Sequence, residues 1–313
     1  MTMTPETTHV PYDRADGRIA VGVEPGPGGL AALSWATEEA VASGARMTIC
    51  HARRDGDRGA AADLETLRLT QPDLVRRVEW CRKLLGGFNV TMELPLGELS
   101  SALLGLSEHA DLLVVGGHPD GGRLHRSVPA QLAARAMCPV VVVRPVPDHD
   151  GAPFAGHVVV GVDGSPASAA AIEFGFRHAR RRHLPVAAVH VDDRWPGDFW
   201  FDDRYLETHF AAEPAALELL AREIEPVAAG HPRVAVKRAV FGGNPVAALR
   251  HAATGAALLV VGRHGERRPA LLRLGSVSRA FAEQADCVVA VVPPTVAAAE
   301  PGPSTLCAPA WDG

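Results

Sequence analysis

Four residues near the end of the chain have types and spacing suited to holding an anion: Gly262, Gly265, Gly275 and Ser276, read as G-x2-G, nine residues, then G-S. They follow the apolar run Leu258–Val261 and precede a helix-compatible stretch. Glycines at the end of a strand let main chain approach a phosphate and accept positive φ. A Gly-Ser pair opening a helix offers unpaired N–H groups and the positive end of the helix dipole to an anion. Val277 continues that helix, and the Ser276 hydroxyl is a further donor. A second loop, Gly161-Val162-Asp163-Gly164-Ser165-Pro166, follows another apolar run. It puts the Asp163 carboxylate at a strand end, with Ser165 as helix cap and Pro166 at the first helical position.

Both loops belong to a larger repeat. Ile19–Val23 (IAVGV) corresponds to Val158–Val162 (VVVGV), and His51 falls on His190 without a gap. Leu112–Gly116 and Leu258–Gly262 are identical (LLVVG), and Cys138 matches Cys287. In each copy, Val/Leu/Ile runs alternate with helix-compatible stretches. That order implies right-handed βαβ crossovers and a parallel sheet covered on both faces. The expected strands are Ile19–Val23, Met47–His51, Val90–Leu94, Leu112–Val115 and Val140–Val143 in the first copy. In the second they are Val158–Val162, Val186–Val191, Val234–Val240, Leu258–Val261 and Val288–Val292. The domains are placed at residues 17–146 and 155–294, joined by a Pro/Gly/Asp-rich linker, with disordered tails at 1–16 and 295–313. The acidic-aromatic segment Asp192–Tyr205, inserted in the second copy, reads as a surface loop or a lid.

At these residues the chain resembles the universal stress protein family. The ATP-binding branch of that family carries G-x2-G-x9-G-(S/T) after its fourth strand, matched here by Gly262, Gly265, Gly275 and Ser276. Gly161–Ser168 (GVDGSPAS) is similar to the family's first loop, whose aspartate contacts the nucleoside; Ala188–Val191 is similar to the segment whose backbone reads adenine. The resemblance implies an α/β fold of two tandem doubly wound, Rossmann-like domains, each a five-stranded parallel sheet of order 3-2-1-4-5. It implies ATP, with or without Mg²⁺, held in the second domain by Asp163, Val191, Gly262, Gly265, Gly275, Ser276 and Val277. It also implies pairing of the two domains within the chain, a homodimer being left open.

The first copy departs from the pattern. Glu24 stands for Asp163, Pro119 for Gly265 and Arg126 for Gly275, so its expected role is structural. The tetrapeptide Arg263-His264-Gly265-Glu266 is similar to the phospho-acceptor motif of histidine phosphatases, but it lies near the end of a repeat rather than on a first strand. No G-x-G-x-x-G follows either first strand, and Walker A and HExxH patterns are absent. A net charge of -5 with scattered Lys and Arg speaks against nucleic acid, and no apolar run is long enough for a membrane span. Five dispersed cysteines and no signal-like N-terminus fit reduced thiols in the cytoplasm. The expectation is therefore an ATP-binding regulator or sensor in a stress response, read by an unidentified protein partner. Weak ATPase or phosphotransferase activity, or a ligand-free scaffold, are the alternatives.

Overall fold

The computed structural model describes residues 17–53, 67–68, 70–117, 127–144, 152–194, 200–202, 214–264 and 274–294. The expected tails at 1–16 and 295–313, the positions Pro119, Arg126 and Gly265, and most of the Asp192–Tyr205 segment lie outside them.

The first half runs β1 (Arg18–Gly22), α1 (Pro27–Ser43), β2 (Arg46–Cys50), α2 (Pro72–Leu85), β3 (Val90–Glu93), α3 (Leu99–Leu106), β4 (Leu112–Gly116), α4 (Val128–Arg135) and β5 (Val140–Val143). The second half runs β6 (Val158–Gly161), α5 (Pro166–Arg182), β7 (Val186–Asp192), β8 (Trp200–Asp202), α6 (Pro214–Ala229), β9 (Val236–Gly242), α7 (Pro245–Ala252), β10 (Leu258–Gly262), α8 (Ser276–Glu283) and β11 (Val289–Val292). The strands form one sheet in the order β3-β2-β1-β4-β5-β11-β10-β6-β7-β9-β8. Each half thus shows the expected 3-2-1-4-5 parallel order.

Two pairings are antiparallel. The first is the seam between the halves, where β5 meets β11 with Val142 opposite Val289, Val141 opposite Ala290 and Val140 opposite Val291. All six residues are buried. The expected fifth strands would each end a sheet as an apolar edge, and pairing them removes both edges. The second is β8, which lies against β9 with Trp200 opposite Phe241. The segment read as loop or lid therefore contributes a sixth, short strand to the second half. The third strand of that half also starts later than expected, at Val236, because the Val234 N–H donates to His231 in a turn.

Helices cover both faces. α1, α2, α5 and α6 pack on one face over a single apolar core that runs through both halves, from Ile19 and Leu33 to Phe174 and Val260. On the other face, α3 and α4 cover the first half and α7 and α8 the second, and Ala133 of α4 packs into the second half's core.

Candidate nucleotide site

A cleft of about 450 Å³ opens at the carboxyl ends of β6, β7 and β10. Three segments line it: the turn Gly161–Asp163, residues His190–Arg194 at the end of β7, and the pair Gly262 and His264 with Gly275–Ser278. Leu219, Pro245 and Leu249 supply apolar walls. The position beyond the strand ends, between β6 and β10, is where doubly wound sheets accept ligands.

The first loop is fixed by its own short polar side chains. Ser165 caps α5 by accepting from the Ser168 N–H at 3.1 Å. The Ser168 hydroxyl accepts from the Asp163 N–H at 3.2 Å, and Asp163 Oδ1 accepts from the Ser165 N–H at 3.0 Å. Asp163 is exposed at the mouth of the cleft with one carboxylate oxygen used in the turn. His190 Nδ1 lies 2.8 Å from the Val162 carbonyl, so this nitrogen carries the proton and donates. His51 does the same to Val23 in the first half at 2.7 Å. Both histidines, which fall at equivalent positions of the two copies, therefore pin the turn after a first strand.

The second loop depends on close approach. A Cβ on Gly262 would lie 2.7 Å from the Ala167 carbonyl carbon, so glycine lets the end of β10 touch the first turn of α5. A Cβ on Gly275 would lie 3.3 Å from His264 Cα and 3.4 Å from the Arg263 carbonyl. Gly275 has φ -69°, and neither it nor Gly262 takes positive φ, which corrects the expectation of left-handed backbone. Among the described glycines of these two loops, Gly164, in the first loop, does so, at φ 80°. The Gly275 N–H donates to Arg263 at 2.8 Å and closes the two ends of the loop into one unit.

α8 starts in the wall of this cleft. Its cap is Gly275, which has no side chain to offer, and the first intrahelical bond comes from the Arg279 N–H. The N–H groups of Ser276, Val277 and Ser278 precede it, and no side chain caps them. The corresponding helix of the first half, α4, is capped instead by Ser127, which accepts from the Ala130 N–H at 3.4 Å. Ser276 is exposed in the cleft; Val277 is half-buried against the core. Val191, near the end of β7, borders the cleft beside Asp192.

The structure thus brings Asp163, Val191, Gly262, Gly275, Ser276 and Val277 to one cleft, while Gly265 lies outside the described residues. Two participants were not singled out from sequence. Ser278 donates to the Gly262 carbonyl at 2.6 Å, tying α8 to the end of β10. Arg194 donates from Nε and Nη2 to the two oxygens of buried Asp192, at 2.9 and 2.7 Å. The S-x-x-S spacing of Ser165 and Ser168 was the visible signal for the first loop's bonds; Ser278 has no comparable signal. The Arg263 side chain leaves the cleft and donates to the Ala136 carbonyl of the first half, which removes the arginine that the phosphatase-like tetrapeptide would need.

Among the described residues, no group of three or more His, Cys, Asp or Glu could hold a metal ion, and no helix is long and apolar enough to cross a membrane. The four described cysteines are buried free thiols. Burial pushes Cys50, Cys138 and Cys287 up to about 12.

Comparison with known proteins agrees with this architecture. The pattern of the universal stress protein family matches residues 17–144 and again 155–293. Universal stress protein Rv2623 of Mycobacterium tuberculosis (strain ATCC 25618 / H37Rv) is 31% identical over 246 residues, covering 71% of this chain and 78% of that protein. Universal stress protein Rv1996 of the same organism is 34% identical over 214 residues, covering 65% of this chain and 66% of that protein. The crystal structure of a universal stress protein from Archaeoglobus fulgidus DSM 4304 superposes with a TM-score of 0.62 over 90% of this chain and 98% of its own, at 15% identity, a likeness of fold. Two matched segments in one chain, built as two copies of one α/β unit, place this protein in the universal stress protein family in its tandem form.

Proposed function

We propose that the second half binds ATP, with or without Mg²⁺, and that the chain acts as a nucleotide-dependent regulator in a stress response. The observation that carries this reading is the start of α8: eight residues of helix open into the cleft with a glycine cap and no side-chain acceptor for their first N–H groups. An anion is the natural partner for such a helix end. The cleft volume falls within the range of roughly 300–1,000 Å³ common for small-molecule sites. The triphosphate would lie along Gly262, Gly265, Gly275, Ser276 and Val277. Asp163 would face the ribose or a Mg²⁺ ion with its remaining oxygen, and the main chain at Val191 would meet the adenine. The described cleft residues include no lysine, and the carboxylate of Asp192 is bound by Arg194. This favours holding ATP over transferring its phosphate. A bound triphosphate would bridge the loop between Arg263 and Leu274 to α8 and alter a surface that a protein partner reads.

The test pairs equilibrium binding of ATP with a phosphate-release assay on the same preparation. Saturable binding with release no faster than the protein-free control is expected. Steady release would establish the weak ATPase instead, and absence of binding would establish the ligand-free scaffold.

A further inference from the structure

The helix that opens into the cleft is held at its other end by the first half. Arg144, the residue after β5, is buried and donates to the last carbonyls of α8: Nη1 to Phe281 at 3.2 Å, and Nη2 to Ala282 at 2.7 Å and Glu283 at 3.0 Å. Helix ends leave these carbonyls without intrahelical donors, and a guanidinium presents several N–H groups in a fixed fork that can serve them. Burial pulls the Arg144 pKa down, while Cys287 and Asp286 oppose that shift; an arginine so placed keeps its charge. Arg250 of α7 also reaches this end, donating to Gln284 at 3.3 Å and to Asp286 at 3.1 Å, but it lies exposed to solvent.

A reciprocal contact runs the other way. Arg263, inside the cleft loop, donates to Ala136, the residue that ends α4 of the first half. Its main chain holds the cleft together: the N–H donates to Val292 at 2.7 Å, and the carbonyl accepts from Gly275. Arg263 and Arg144 therefore lie on either side of the β5–β11 seam, each reaching the last helix of the opposite half.

From this arrangement we infer that Arg144 is a positioning residue for the nucleotide site, through which the first half sets the affinity of the second. The inference rests on the nucleotide reading above. Its physical content is the helix dipole. A cation at the carboxyl end of a helix and an anion at the amino end are both favoured by the same alignment of peptide dipoles. The eight residues of α8 separate them by only about 12 Å. Arg144 also fixes the axis of α8, and so the direction in which the uncapped N–H groups meet a phosphate.

The experiment is an ATP titration of the full chain as wild type, Arg144→Met, Arg144→Lys and Arg182→Met, with a thermal melt of each. Arg182 pairs with Glu38 across the halves at 2.7 Å on the opposite face of the sheet, so it controls for a weakened interface that leaves α8 alone. Arg144→Met is expected to bind ATP about ten-fold more weakly, the scale of the attraction between unit charges about 12 Å apart at an effective dielectric constant of about 20. Arg144→Lys restores the affinity and Arg182→Met leaves it unchanged. If Arg144→Met does not fold, Arg144→Gln, which keeps a donor without the charge, is read in its place. Unchanged affinity in the uncharged variant, equal loss in Arg144→Lys, or equal loss in Arg182→Met overturns this inference and leaves nucleotide binding standing. No ATP binding by the wild type overturns both.

Discussion

Gly262 and Gly275 are required for different reasons, and neither reason is φ. At Gly262 the missing Cβ makes room for Ala167, at the start of α5; at Gly275 it makes room for the main chain of Arg263 and His264. Gly262→Ala would force a methyl group to 2.7–2.9 Å from Ala167 and is expected to cost about 1–3 kcal/mol by overpacking, read as a lower melting temperature. Gly161→Ala is the matched comparison. Its Cβ would meet Leu249 at 3.5 Å and Val261 at 3.6 Å, ordinary contacts, so stability should barely change. Equal stability of the two variants would contradict the packing account of Gly262. The spacing of Gly262, Gly265, Gly275 and Ser276 was legible in the sequence because residue type and interval alone define it. What each glycine touches was not, because Ala167 meets Gly262 only after the crossover from β6 has folded back on the sheet. Ser278 was hidden for the same reason: a serine inside a helix has no sequence mark that sends its hydroxyl to another strand's carbonyl.

Most strands were legible as elements, since uninterrupted Val, Leu and Ile runs are what a strand buried on both faces needs. β8 was not, because its three residues, Trp200-Phe201-Asp202, sit in an acidic-aromatic stretch and become a strand only beside β9. The seam was legible from the two valine-rich fifth strands, each an edge in need of cover. The helix pair behind it was not. There α1 meets α5 through Glu39, almost fully buried, which lies 3.1 Å from His178 Nδ1 and 3.3 Å from Arg181. Trp35 stacks on the His178 ring at 5.8 Å. A carboxylate in this setting depends on its partners, and they on it. Glu39→Ala is expected to destabilise the chain by about 3–5 kcal/mol in denaturant unfolding, since it leaves a buried cation without its counter-charge. A loss below about 1 kcal/mol, the scale of an exposed pair, would show that water already screens this cluster.

At the scale of the whole molecule, the two copies share a continuous sheet and a core that runs through both, yet they differ at the ends of their strands. In the second half, α8 begins with a glycine cap in a cleft; in the first, α4 begins with Ser127, whose hydroxyl occupies its own helix. Arg144 lies against Gly117, and a Cβ there would collide with it, so the floor beyond β4 is taken up by a side chain that serves the other half. Duplication has produced one helix end available to an anion and one that satisfies itself. The proposed nucleotide site in the second half therefore implies one nucleotide per chain. Calorimetric titration of ATP into the full chain beside Gly275→Arg, which copies the first half's Arg126, is the decisive experiment. One equivalent bound by the wild type, with binding abolished in a folded Gly275→Arg protein, is the predicted result. Two equivalents per chain, or binding that survives Gly275→Arg, would contradict it.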